Sequence, residues 1–107
     1  MMATRNIMLV CSAGMSTSML VLSIRDAVKA QALDVNVFAK PSTEAMDYLD
    51  QVPVDVVLIG PHVRFFEETF RKPLDSRQIP MAVINPRDYG TMNGEKVLQQ
   101  ALNLIKG

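Results

Sequence analysis

Cys11 is the only cysteine of the chain, and it opens the segment Cys11-Ser12-Ala13-Gly14-Met15-Ser16-Thr17-Ser18. A thiol attacks a phosphoryl group as its thiolate, so a reactive cysteine needs surroundings that favour the anion. This segment offers them. The small residues Ser12, Ala13 and Gly14 let the backbone approach an anion closely, and the hydroxyls of Ser12, Ser16, Thr17 and Ser18 can donate further hydrogen bonds. If a helix begins directly after the loop, its unpaired N–H groups and positive dipole end converge on whatever Cys11 carries. The chemistry described is capture of a phosphoryl group by Cys11, with Ser12, Ala13, Gly14, Met15, Ser16, Thr17 and Ser18 as the phosphate-binding loop. The bland alternative makes Cys11 a small buried hydrophobe and the serines helix caps. The position of the segment in the fold decides between them.

Apolar runs of strand length alternate with helical patterns along the chain, the signature of βαβ units and a parallel sheet. Strands are predicted over 7–11, 35–39, 54–59 and 81–84. Helices are predicted over 16–31, 43–50 and 63–71, the last stopping before Pro73. A fourth helix carries Val97, Leu98, Ala101, Leu102 and Ile105 between Gly94 and Gly107. The first and third strands are continuous apolar runs, as expected for strands covered on both faces. Val35 to Lys40 alternates like an edge strand, and Pro80 opens the fourth strand like another edge. Right-handed crossovers then give the order 2-1-3-4, with the winding reversing between strands one and three. Open α/β sheets bind ligands beyond the strand ends at that point. Cys11 to Ser16 and Gly60-Pro61-His62 are the loops there, which favours the chemical reading of Cys11.

The 107 residues fit one domain, 1–107, and the 49% hydrophobic and 21% charged content is that of a packed chain rather than a disordered one. Eleven Lys and Arg balance eleven Asp and Glu. No basic field therefore exists to draw in nucleic acid or anionic lipid. One cysteine supports neither an internal disulfide nor a multi-thiolate zinc site, which points to a reducing compartment. The longest apolar runs, 7–11 and 56–59, are far too short to span a bilayer, so a soluble protein is expected. Arg5 ahead of Ile7 to Val10 faintly suggests a signal peptide. The apolar segment is short and no A-x-A-like site follows, so it is read as mature structure.

Two enzyme classes place a cysteine in such a loop. Low-molecular-weight tyrosine phosphatases carry C-x5-R-S, whose arginine clamps the equatorial phosphoryl oxygens. Here Cys11 and five residues are followed by Thr17-Ser18, without the arginine. Hydrolysis should slow while the phosphocysteine persists, as a carrier requires. Related arsenate reductases resolve their intermediate with additional cysteines, which this chain lacks. The opening strand with Cys-Ser-Ala-Gly-Met-Ser-Thr-Ser, the run Asp55-Val56-Val57-Leu58-Ile59-Gly60-Pro61, Tyr89-Gly90 and the closing amphipathic helix together resemble the IIB component of the bacterial sugar phosphotransferase system, lactose/cellobiose (chitobiose) family. The resemblance covers essentially the whole chain. It implies a three-layer α/β sandwich, similar to the low-molecular-weight tyrosine phosphatase fold, and a cytoplasmic phosphocarrier. Cys11 would take phosphate from the phosphohistidine of a IIA protein and pass it to a β-diglucoside or similar sugar, such as cellobiose, chitobiose or lactose, bound to the membrane IIC permease. The isolated protein is expected to be monomeric and to need no metal or cofactor. The alternatives are a cysteine-dependent phosphatase and a non-catalytic regulatory domain.

Pro61, His62 and Tyr89 are candidate accessory or partner contacts. His62, which stands where cellobiose members have glutamine, could donate to phosphate or shuttle a proton, but an exposed loop residue at a partner surface is preferred. Asp88-Tyr89 is similar to the phosphatases' Asp-Pro-Tyr acid segment yet lacks the proline, so a loop turn through Pro86 and Gly90 is preferred. Met15 and Met19 are read as core filler or adaptable interface, with Met15 placed to meet a partner. Phe65, Phe66 and Phe70 are read as core with one exposed contact, and the mixed charges of 64–72 and Arg77 as a solvated face.

Overall fold

The computed structural model describes residues 4–11 and 15–106, with side chains described except at 15–17 and 106. Four parallel strands, β1 (Arg5–Cys11), β2 (Val35–Pro41), β3 (Val56–Ile59) and β4 (Met81–Val83), form one sheet in the order β2-β1-β3-β4. Helices α1 (Met15–Ala30), α2 (Ser42–Gln51), α3 (Glu67–Ser76), α4 (Pro86–Gly90) and α5 (Gly94–Lys106) complete it, with a 3-10 segment at Pro61–Phe66. This is the expected fold class and strand order.

The two-residue repeat of a strand explains why the central strands are apolar throughout. Ile7, Leu9, Val56 and Leu58 pack with Leu20, Val21, Ile24 and Val28 of α1 and Val97, Leu98 and Ala101 of α5. The alternate residues Met8, Val10, Val57 and Ile59 pack on the other face with Ala45 and Leu49 of α2 and Phe70 and Leu74 of α3. Helices therefore cover both faces. Among the described residues, no helix is long and apolar enough to cross a membrane.

Each edge strand has a backbone group occupied by a helix side chain. Arg25 of α1 donates through Nε and Nη2 to the Val37 carbonyl at 3.0 and 2.7 Å. On the opposite edge, Gln100 of α5 donates to the Val83 carbonyl at 3.0 Å and accepts from Asn85 N at 3.4 Å. Gly94 lets α5 begin against α1: a Cβ there would lie 2.3 Å from the Ser23 carbonyl carbon. The Ser23 hydroxyl accepts from Gly94 N at 3.1 Å and donates to the Met92 carbonyl at 2.9 Å.

Three elements differ from the sequence expectation. The segment expected to be one helix over 63–71 is a 3-10 turn followed by α3, and α3 runs on through Pro73 to Ser76. Proline there removes one hydrogen bond to residue i−4. That residue, Thr69, is exposed to water, while buried Phe70 and Leu74 hold the helix to the sheet. The turn expected through Pro86 and Gly90 is the short helix α4, with the Asn85 side chain accepting from Arg87 N at 2.9 Å and Pro86 at its first position. The third strand begins at Val56 rather than residue 54, because Asp55 N turns to the Asn6 carbonyl at 2.9 Å before the ladder with β1 starts.

Candidate functional site

The carboxyl ends of the strands gather the candidates. Cys11 ends β1 and is 5% exposed, with Pro41 as its partner on β2. Its thiol donates weakly to the Lys40 carbonyl, Sγ to O 3.8 Å. Ser12, Ala13 and Gly14 lie outside the described residues. The first turn of α1 contains Met15, Ser16, Thr17 and Ser18, and Ser18 is exposed. A sixteen-residue helix thus starts four positions after Cys11 with its positive end toward the intervening loop.

A second helix starts close by. Pro41, the strand partner of Cys11, is also the N-cap of α2 and offers no side-chain cap to its first N–H groups. The sequence reading had this helix starting later and did not bring it to the cysteine, because register alone makes Pro41 and Cys11 neighbours. Two helix N-termini consequently lie at this end of β1 and β2, and both favour negative charge.

β3 brings the other loop. Gly60 N donates to the Val10 carbonyl at 3.0 Å, extending the ladder one step beyond β3 and fixing Gly60-Pro61-His62 beside the cysteine strand. The His62 ring folds back over Gly60 so tightly that a Cβ would stand 2.6 Å from its Cε1. His62 is exposed, and its ring lies 5.3 Å from that of Tyr89 on α4. Pro61 and Tyr89 are half-buried, the latter packed against the α1/α5 core. Asp88 lines a polar hollow of about 880 Å³ with Asn85, Lys96 and others between α4 and α5. Exposed Met19, Leu22 and Phe65 add apolar surface to α1 and the 3-10 segment, whereas Phe70 is core.

Lys40 is a residue the sequence reading passed over as part of an alternating edge strand. Its ammonium sits 4.4 Å from the centre of the Tyr48 ring, which meets Phe38 edge-on at 4.9 Å. Among the described residues, no group of three or more His, Cys, Asp or Glu side chains could hold a metal ion. The arrangement is suited to holding an anion at a cysteine with backbone N–H groups.

Comparison with known proteins identifies the fold and the family. Residues 6–100 match the family model of the lactose/cellobiose-specific IIB subunit of the phosphotransferase system. The galactose-specific EIIB component of Lactococcus lactis subsp. cremoris is 39% identical over 107 residues, covering 97% of this chain and 99% of the relative. The oligo-beta-mannoside-specific EIIB component of Bacillus subtilis is 34% identical, with 94% and 96% covered. The solution structure of the cellobiose-specific phosphotransferase IIB component of Borrelia burgdorferi superposes with a TM-score of 0.80 at 42% identity, covering 97% of this chain and 94% of that one. The lactose-specific IIB domain of Streptococcus pneumoniae shares the fold at a TM-score of 0.84 and 14% identity, with 95% and 98% covered. A family model spanning most of the chain, and relatives above 30% identity along nearly its full length, make this chain a member of the lactose/cellobiose-specific IIB subunits of the phosphotransferase system.

Proposed function

We propose that the protein is the cytoplasmic phosphocarrier of a sugar phosphotransferase system, with Cys11 as the phosphorylated residue. The thiolate attacks phosphorus of a phosphohistidine on IIA in line. An S–P bond forms as the P–N bond breaks, the bonding pair returns to the imidazole, and the thiol's proton ends on that ring. The sugar hydroxyl on membrane-bound IIC later attacks phosphorus, its proton is lost, and the thiolate leaves. Loop N–H groups from Ser12 to Ser18 hold the equatorial oxygens in both steps, while Pro61, His62 and Tyr89 border the site and meet the partners. The observation that carries this reading is the placement of Cys11 at the carboxyl end of a central strand, four positions before the start of α1 at Met15 and at the reversal of winding. Relatives named for galactose, cellobiose and oligo-β-mannosides support a substrate of the β-glycoside or related sugar class, with the choice among sugars made in IIC.

Incubation with ³²P-labelled phospho-IIA tests the proposal. Wild-type protein should take up label stably on Cys11 and release it to sugar only with IIC present. Cys11→Ser should remain folded and take up none. Equal labelling of both proteins, or rapid release of free phosphate by the wild type alone, overturns it.

A further inference from the structure

Between Cys11 and Arg25 the sequence contains no lysine or arginine, so the loop itself brings no cation to a phosphoryl group on Cys11. Arg25 is committed to the Val37 carbonyl. The neighbouring strand supplies a different charge. Cys11 Sγ lies 3.8 Å from the carbonyl oxygen of Lys40, and a carbonyl oxygen lies about 2.4 Å from its own Cα by standard backbone geometry. The Lys40 Cα is therefore within about 6 Å of the sulfur, a distance comparable to the reach of a lysine side chain.

Because strand side chains alternate, Phe38 and Lys40 share the α2 face of the sheet, where the ammonium rests on Tyr48. Cys11 follows Ile7 and Leu9 toward the α1 face, so it and Lys40 meet only around the end of the strands. That resting place is a ring face on a half-buried tyrosine, and among the described residues Lys40 makes no ion pair. A phosphoryl group on Cys11 would add about −1.5 to −2 charge near the root of this side chain. A cation attracted by a ring quadrupole then has a stronger alternative.

We propose that Lys40 is the counter-charge of the phosphorylated state: its ammonium leaves Tyr48 and pairs, over the carboxyl edge of the sheet, with the phosphoryl group on Cys11. The inference rests on the carrier reading and adds to it the residue that sets how strongly phosphate is retained. A lysine is a mobile point charge, unlike the rigid arginine fork, so it stabilises the dianion without clamping two equatorial oxygens. Phosphate is thereby retained and still transferable.

The test is the equilibrium ratio of phosphorylated to free protein when wild type, Lys40→Met and Lys40→Arg are each mixed with ³²P-labelled phospho-IIA. Lys40→Met should lower the ratio about fivefold, the size of a good exposed ion pair. Lys40→Arg should keep at least the wild-type ratio, since the charge is retained and the guanidinium fork can add a second bond to phosphate. In wild type, the Lys40 side-chain methylene protons should lose the ring-current shift of Tyr48 on phosphorylation. A Lys40→Met ratio equal to wild type, or Lys40 resonances that stay ring-shifted in the phosphorylated protein, overturns the inference while leaving the carrier reading intact. A wild type that takes up no label overturns both.

Discussion

At the amino end of the sheet, side chains tie the strands together. Asp55 accepts from Asn6 N at 2.7 Å and lies 4.0 Å from Arg5, Asn6 Nδ2 donates to the Pro53 carbonyl at 2.7 Å, and Thr4 donates to Asp34 at 3.0 Å. At the carboxyl end the ladder is closed by backbone groups, Gly60 N to Val10 O at 3.0 Å and Ile84 N to Ile59 O at 2.8 Å. The side chains there meet in ring contacts, His62 with Tyr89 and Lys40 with Tyr48. The same sheet is thus fastened by polar side chains at its amino end and by backbone groups and Gln100 at its carboxyl end, where His62 and Lys40 rest against rings. Substitutions at the two ends should therefore separate stability from phosphoryl transfer.

The largest stability loss in this comparison is expected for Asp55→Ala, which strips the part-buried Asn6 N–H of a charged acceptor. It should cost about 2 kcal/mol. Thermal unfolding should fall by roughly 4–8 °C for each kcal/mol in a domain of this size, with the rate of label uptake from phospho-IIA unchanged. Asn6→Ala removes the bond to Pro53 and should cost about 1 kcal/mol by the same measurement, again without touching transfer. A changed transfer rate in either variant would break the division between the ends.

Gly60→Ala should do the reverse. The atom that blocks the new methyl is the far side of the His62 ring, which can swing away, so stability should drop by less than about 1 kcal/mol. The His62 and Tyr89 rings should lose their mutual shift in the proton spectrum, and label uptake should slow several-fold because the His62 ring is displaced from the loop beside Cys11. Unchanged uptake with a displaced ring would show that His62 does not border the reacting group.

What the sequence disclosed, and what it withheld, follows from the range of the interactions involved. The continuous runs around Leu9 and Leu58 announce central strands because each residue needs a covered face, and the order of strands follows from crossover handedness. Cys11 and its loop are contiguous, so the chemistry proposed for them can be argued along the chain. Lys40 is not legible in this way, since its nearness to Cys11 depends on a register that pairs Cys11 with Pro41 on the neighbouring strand. Gly60 looks like an ordinary turn glycine until the His62 ring is seen against it. Pro73 stops a helix by local rule, yet Phe70 and Leu74 carry α3 past it because their burial outweighs one lost hydrogen bond. α4, expected as a turn through Pro86 and Gly90, is only five residues long, below the length at which apolar periodicity speaks.

The side chains laid against the two edge strands have a consequence for life in a crowded compartment. An open parallel sheet exposes backbone donors and acceptors to which a stray extended segment can bond, and a growing stack of such additions is how aggregates start. Here a newcomer at β2 must compete with the forked donation of Arg25 to Val37, and one at β4 with Gln100, which meets both Val83 and Asn85. Both obstructing side chains come from helices already committed to the core, so neither is easily pushed aside. The sheet is bounded at its flanks, so under the proposed function the helix starts and loops at its carboxyl rim are left as the surface on which partners would dock.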